Sequence, residues 1–350
     1  YTACPTSNLV LAGTRKIEEN QFGYGNLTKK HGVIIVHDEV TAVDAGKKQL
    51  VLAKGTLSYD RLILSPGIDF ITDKIAGYGA DTDQLVPHAW KAGAQTVLLR
   101  KQLEAMKDGG VVVISIPTAP YRCPPGPYER ICMISEYLKA AKPKSKIIVL
   151  DGNPDIAAKG KLFRAAWEKH YAGLIDYRPG QSAMKIDAAA MKISSEVEDI
   201  KADVINLIPP QRAGKIALAA GLADEGGRWC PVNPVNFAST KAENIHVIGD
   251  ACVASPMPKS GFSANSQAKV CALNMVAEFN DEKPTDFSAA NICYSFVTSN
   301  EAISVAAVYK VDDEKILAVE GAGGLSPAAS KLEADYGRAW FANIMAEMKG

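Results

Sequence analysis

The sequence predicts an α/β fold assembled from βαβ units of dinucleotide-binding type. Val111–Ile116 and Lys146–Leu150 are continuous apolar, β-branched runs, which suits parallel strands buried on both faces. Between them, Tyr128–Ala141 carries Ile131, Ile134, Tyr137 and Leu138 at helical spacing. Two further apolar strands end in short turn sequences, one at Pro66-Gly67 and one at Gly249-Asp250.

The central unit departs from a nucleotide site at one point. Asp151 closes the second strand, where such folds place an acid for a ribose. The loop ahead of the helix should read G-x-G-x-x-G, so that bare backbone can approach a pyrophosphate. Here it reads Pro117-Thr-Ala-Pro-Tyr-Arg-Cys123-Pro-Pro-Gly-Pro127. Prolines remove amide donors, and Tyr121 and Arg122 are expected to fill the phosphate space. The loop therefore predicts no NAD(P) site. It offers instead a cysteine just before a helix start, with Pro127 and Glu129 in the first turn. The helix dipole and free amides there are expected to lower the Cys123 thiol pKa.

Length and composition bound the rest. With 350 residues, 47% hydrophobic and 39 basic against 39 acidic side chains, the chain is an ordinary globular protein of two or three domains. No apolar stretch is long enough for a membrane helix, and no basic cluster points to nucleic acid. The seven cysteines have no metal-ligand spacing and no C-x-x-C-H for haem attachment, so neither a metal nor a haem is expected on this chain.

In chain order, Gly32–Val36 is predicted as a strand, and Val40–Leu52 as a hairpin around Ala45-Gly46-Lys47. Leu57–Gly67 contains Tyr59-Asp60-Arg61-Leu-Ile-Leu ahead of Pro66-Gly67 and predicts a buried strand leaving by a turn. A helix follows around Gln95–Met106. Beyond the central unit, Phe163–His170 reads as helix, Met184–Val197 as a hairpin, and Ala202–Ile208 as another buried strand. Asn244–Ala251 is a strand ending in Gly249-Asp250-Ala251, and Pro256–Gln267 leads a helix to Ala277. Asp335–Met348 closes a last region of different character.

Several of these segments resemble motifs of two-dinucleotide flavoproteins of the glutathione-reductase type. Tyr59–Gly67 resembles their Y-D-x-L-x-x-A-x-G segment, with Pro66 and Gly67 at the exit near the flavin nucleotide. Ala202–Pro210 resembles A-D-x-V-I-x-A-x-G, with prolines in place of its end. Gly249 and Asp250 resemble the carboxy-terminal FAD motif, whose Asp holds a ribityl hydroxyl and whose Gly permits close approach. On its own, Asp250 could equally be a helix N-cap. Lys259, Ser260 and Gly261 precede a helix whose N-terminus would suit the N1–O2 edge of a reduced flavin. A flavoprotein of this plan opens with its own G-x-G-x-x-G βαβ unit, which takes roughly 30 residues. Tyr1–Val10 reads like the interior of a protein, so the first βαβ of the FAD domain is expected to be missing from this chain.

At Arg122-Cys123-Pro-Pro-Gly-Pro-Tyr128-Glu129-Arg130 the resemblance narrows. With Pro87–Gly93, Ala202–Lys215, His246–Ala251 and Pro256–Gln267, it is similar to the flavoprotein subunit of flavocytochrome c sulfide dehydrogenase. That family is a relative of the sulfide:quinone reductases. The resemblance implies tandem Rossmann-type domains and a small α+β C-terminal domain. Residues 1–80 and 213–282 would form the FAD-binding domain, 81–212 a vestigial NAD-like domain, and 283–350 the C-terminal domain.

The resemblance further implies that Cys4 carries FAD through a thioether, and that Cys123 and Cys293 form the redox disulfide. Glu129 would be the acid/base, although its place in the first helical turn equally suits a dipole-favouring acid. Trp340 would lie near a route to the haem. The implied activity is oxidation of sulfide to sulfur, with electrons passing through the disulfide and FAD to a haem-bearing cytochrome c subunit in the periplasm. A sulfide:quinone reductase, an NAD(P)H-dependent disulfide reductase and a non-catalytic flavin-binding scaffold are the alternatives. Cys132, Cys230, Cys252 and Cys271 read as small packed hydrophobes, and the five histidines as structural.

Overall fold

The longest β-branched runs of the sequence become the central sheet. In the computed structural model, which describes residues 1–284 and 288–350, Val111–Ile116 pairs in parallel with Lys146–Asp151 on one side and with Val204–Leu207 on the other. Ile175–Pro179 extends the sheet beyond Lys146–Asp151. Side chains alternate between its faces. Val112, Ile114 and Ile116 face a core shared with the helices Ala94–Ala105, Gly126–Ala141 and Gly160–Tyr171. Val113, Leu150, Ile205 and Leu207 face the other way, onto Ile186, Ile193 and Ile200. Those three residues belong to an antiparallel meander of Lys185–Asp187, Lys192–Ser194 and Asp199–Lys201. The predicted hairpin over Met184–Val197 is thus two thirds of a three-stranded sheet that covers the open face.

The second core gathers residues far apart in the chain. Leu62–Leu64 pairs in parallel with Ile245–Val247, and Cys230–Pro231 with Cys252–Val253. Ile68–Phe70, where the chain leaves this region, pairs antiparallel with Gln211–Ala213, where it returns. Val40–Asp44 and Gln49–Leu52 form the predicted hairpin, joined by Gly55–Ser58.

Gly32–Val36 is a correction to the sequence-based expectation: it forms no strand. Ile34 is 87% exposed, and among the described residues no strand pairs with this segment. A β-branched run becomes a strand only where a partner supplies the ladder.

The C-terminal region is a three-stranded antiparallel sheet of Ser288–Phe296, Ala302–Asp312 and Lys315–Leu325. The helices Gly261–Phe279 and Lys331–Lys349 pack against it. Its apolar side chains join the two larger cores: Phe296 and Ile303 the first, Ala289, Tyr309 and Ile316 the second. This places the strand bearing Cys293 against the helix that follows Cys123.

Candidate active site

The helix Gly126–Ala141 organises the site. It is buried on nearly every side, from Tyr128 through Ser135, so any charge within it must be satisfied by protein. Cys123 lies in the loop just before it, at φ +56, a conformation that side chains other than glycine adopt only under tight local constraint. The constraint comes from both sides. The Cys123 N–H donates to the Lys259 carbonyl at 2.7 Å, and its carbonyl accepts from the Gly126 N–H at 2.8 Å. A Cβ on Gly126 would stand 2.8 Å from the Cys123 Sγ and 2.9 Å from Trp90. The glycine is what lets the sulfur and the indole settle on the helix start.

Cys293 reaches the same point from the C-terminal sheet. Both cysteines are free thiols, partly exposed, and close enough that each is the largest influence on the other's titration. The pair is asymmetric, and in the opposite sense to the expectation from the helix dipole. Cys293 and burial push the Cys123 thiol well up, whereas Cys123 and then Lys159 pull Cys293 down. At Cys123 the neighbouring Cys293, and then burial, act against the lowering expected from the helix start.

Lys159 is a residue that sequence reasoning missed. It is 6% exposed and, like Cys123, left-handed at φ +58. Its Nζ donates to the Cys293 carbonyl and the Ser295 Oγ, both at 2.8 Å, and to the Ile303 carbonyl at 3.4 Å. Nothing in its local sequence, Ala158-Lys159-Gly160, marks it.

Glu129 follows one turn into the helix and faces the pair. Its Oε1 accepts the Phe296 N–H at 2.8 Å, and its Oε2 accepts from the Asn8 Nδ2 at 2.8 Å. Burial raises its carboxyl pKa more than these donors lower it. Arg130 points away, into a wholly buried clamp. It donates to Asn8 Oδ1 at 3.1 Å, Asn206 Oδ1 at 3.0 Å, and the His88 and Ala89 carbonyls at 2.9 and 2.6 Å. Its guanidinium also lies 4.8 Å from the Trp90 ring centre. The Pro87–Gly93 segment, singled out only by resemblance, is therefore half of this clamp. The signal for Arg130 was present: a charge directly before the apolar run Ile131–Ile134.

His88 is structural, as the sequence implied. Its Nδ1 accepts the Trp90 N–H at 2.9 Å, and burial, with Arg130, Lys91 and Arg122 nearby, lowers its pKa from 6.5 to about 3. The unfolded chain then binds a proton that the folded chain refuses. The stability this neutral His88 contributes is full above pH 6.5 and is lost as pH falls toward 3. A His88→Asn variant, whose amide oxygen can accept the same N–H, is expected to flatten that acid slope in denaturant unfolding followed from pH 7 to 4.

Asp151 is spoken for by the protein. Its Oδ2 accepts from the hydroxyls of Tyr128 at 2.7 Å and Tyr177 at 2.8 Å, and its Oδ1 from the backbone and side-chain nitrogens of Asn153 at 2.9 and 2.7 Å. Tyr121 is buried in the same core, and the Arg122 guanidinium caps the Trp90 carbonyl. The carboxylate that would meet a ribose is thus engaged by tyrosine and asparagine donors of this chain.

The FAD-motif residues converge on the opposite side of Lys259. Gly67 and Gly249 are left-handed, at φ +67 and +74, so each strand exit turns as only glycine does without strain. Pro66 packs on Gly214, where an added Cβ would meet it at 2.7 Å. The Gly249 N–H donates to Gln267 Oε1 at 2.7 Å. Lys259 Nζ donates to the carbonyls of Asp250 and Cys252 at 2.7 and 2.8 Å and lies 3.8 Å from the Trp229 ring centre. Ser260 caps the helix that Gly261 opens, accepting the Ser263 N–H at 3.1 Å and donating to Asn291 Oδ1 at 2.6 Å. Pro5, next to Cys4, stands 3.6 Å from the Cβ position of Gly261, which brings the chain's first residues to that helix start. Trp340 stacks on Phe262, at 6.0 Å and 15°, and lies 6.4 Å from Tyr294 beside Cys293.

Two family models match the chain. Residues 96–209 match the central region of the sulfide dehydrogenase (flavocytochrome c) flavoprotein chain, and residues 285–348 match the flavin-binding region of flavocytochrome c sulphide dehydrogenase. Together they take in just over half of the chain. The chain belongs to this family of sulfide dehydrogenase flavoproteins and sulfide:quinone oxidoreductase relatives. It is 21% identical over 263 residues to the mitochondrial sulfide:quinone oxidoreductase of Dictyostelium discoideum, covering 70% of this chain and 56% of that protein. The chain thus spans little more than half the length of this curated relative. In fold it is similar to the sulfide:quinone oxidoreductase of Aquifex aeolicus (TM-score 0.74, 17% identity, 98% of this chain and 82% of that one). It is likewise similar to a ferredoxin reductase of Rhodopseudomonas palustris (TM-score 0.63, 16% identity, 96% and 84%). The α/β plan with a small C-terminal sheet is that of FAD-dependent disulfide oxidoreductases.

The residues present fit the FAD of this family. Asp250 Oδ1 is buried with no hydrogen-bond partner, and burial raises its carboxyl pKa although Arg122 and Lys259 lower it. An unpaired buried acceptor beside a left-handed glycine and a helix start is what a ribityl hydroxyl and a flavin edge require.

Proposed function

We propose that this chain oxidises sulfide to sulfur and passes the electrons through FAD to a cytochrome c subunit. The observation that carries the reading is the meeting of Cys123 and Cys293, far apart in the chain, as a partly exposed pair of neighbouring thiols. Such a pair closes to a disulfide by losing two electrons and two protons. Hydrosulfide attacks one sulfur; the S–S bond breaks, and its electron pair leaves on the other sulfur as a thiolate. The product is a persulfide on one cysteine and a thiolate on its partner, with charge conserved. Glu129, with a raised pKa and within reach of the pair's field, can hold or return the proton of the incoming sulfide. FAD, when bound, accepts the two electrons from the sulfurs and releases them singly.

Asp250, Gly249, Gly67, Pro66 and the Lys259–Gly261 helix start would hold that FAD, and Cys4, at the same helix start, would attach it. The stack of Trp340 on Phe262, with Tyr294 at its edge, supports an exit for electrons toward a haem. The family models that match name a flavocytochrome c, which favours the cytochrome as acceptor, and the resemblance carries a periplasmic location with it. The second reading, a quinone as acceptor, draws on the named sulfide:quinone oxidoreductases. No helix of the described residues is long and apolar enough to cross a membrane.

The test is anaerobic titration of the FAD-loaded protein with sulfide, followed by visible absorbance. Bleaching that cytochrome c reverses is expected. Reversal by a quinone alone would move the assignment to the second reading, and no bleaching at full FAD content would overturn sulfide oxidation itself. Flavin that stays with the chain after denaturation would establish attachment.

A further inference from the structure

The site holds a buried cation that the proposed chemistry has not yet used. Lys159 hydrogen bonds only to neutral oxygens: two backbone carbonyls and a serine hydroxyl. Among the described residues it makes no ion pair. A buried ammonium costs several kcal/mol unless an anion stands nearby. The groups whose charge it feels are Cys293, Glu129, Cys123 and Glu333, in that order. The Glu129 oxygens are already engaged by Phe296 and Asn8. What remains is the cysteine whose own carbonyl Lys159 holds.

We propose that Lys159 is the positioning residue that keeps the Cys293 sulfur anionic in the reduced pair, leaving the proton on Cys123. Two electrons and one proton convert the disulfide to one thiol and one thiolate. Sulfide supplies the electrons in the proposed function, on which the catalytic meaning of this inference rests; a phosphine supplies them in the test. The thiolate is assigned to Cys293 because Lys159 is anchored to that strand at three points, Cys293, Ser295 and Ile303 on its neighbour. The cations around the Cys123 loop are engaged by backbone carbonyls: the Arg122 guanidinium by Trp90, the Arg228 guanidinium by Pro120 and Gln211, and Lys259 Nζ by Asp250 and Cys252. The directions of the two thiol pKa shifts agree with the assignment.

The experiment reduces the FAD-loaded protein with a phosphine and alkylates it briefly with iodoacetamide from about pH 5.5 to 9.5, across the ordinary thiol range. Labelled Cys123 and Cys293 peptides are then quantified by mass spectrometry. Cys293 is expected to label with a midpoint below that of a free thiol, and Cys123 to lag. Lys159→Met should raise the Cys293 midpoint by about one unit or more, a roughly tenfold loss of labelling at low pH. Lys159→Arg should restore most of it. If the methionine variant does not fold, Lys159→Gln keeps a donor for the Cys293 carbonyl without the charge and should show the same rise. An unchanged Cys293 profile in either folded variant overturns the proposal, as does faster labelling of Cys123 in the parent protein. Because labelling needs no sulfide, a parent that shows the Cys293 bias but does not bleach with sulfide would retain this inference while sulfide oxidation fell.

Discussion

Cys123→Ser is expected to abolish reduction of the flavin by sulfide while FAD remains bound. Serine keeps the backbone bonds that seat the loop, to Lys259 and Gly126, so the helix starts on both sides of it are undisturbed. It removes the sulfur that closes the disulfide, and an oxygen there can neither form nor break that bond. Members of a covalent apparatus act as a unit, and removing one costs on the order of 10⁴-fold. Sulfide-driven bleaching should fall on that scale. Cys293→Ser should fall as far, and the double variant little further, because either loss already removes the same bond. A Cys123→Ser protein that bleaches at the parent rate would refute the route through the Cys123–Cys293 pair.

Arg130→Met is expected to be the most damaging substitution for stability. The methionine is apolar and narrower than a guanidinium, and it takes the Arg130 donor from Asn8 Oδ1, Asn206 Oδ1 and the Ala89 carbonyl, leaving the His88 carbonyl with Asn206 Nδ2 alone. Removing one partner of a buried charged network costs about 3–5 kcal/mol, and each orphaned acceptor adds to the difficulty of repacking. Arg130→Lys should recover little of this. An ammonium is a point charge and cannot span four acceptors arranged for a planar fork. Denaturant unfolding of the FAD-loaded protein measures the loss, and a change under about 1 kcal/mol would show that the clamp contributes no more than an ordinary surface site. The clamp also fixes Asn8, which in turn holds Glu129, so the same variant should loosen the proton carrier beside the cysteines.

The parts of this protein that were legible in the sequence are those governed by neighbours in the chain. The strand–helix–strand unit at Val111–Asp151 was visible because a parallel strand buried on both faces must be apolar throughout, and a helix must repeat its apolar residues every turn. The missing phosphate loop was visible because prolines cannot donate the amides a pyrophosphate needs. The turns at Gly67 and Gly249 were visible because left-handed backbone selects glycine. Gly32–Val36 shows the limit of the same logic: local preference for β structure makes no strand where no partner is beside it.

What only the tertiary structure decided is the electrostatics of the site. Cys123 and Cys293 were paired by resemblance alone; they meet because the C-terminal sheet packs on the helix behind Cys123. The sequence placed the reactive thiolate on Cys123, beside a helix start. The fold turns the bias toward Cys293, whose thiol is pulled down first by the neighbouring Cys123 and then by Lys159, which arrives from a third segment. A pKa is set by burial and by charges within a few ångströms, and those distances are fixed by chain segments that meet only on folding.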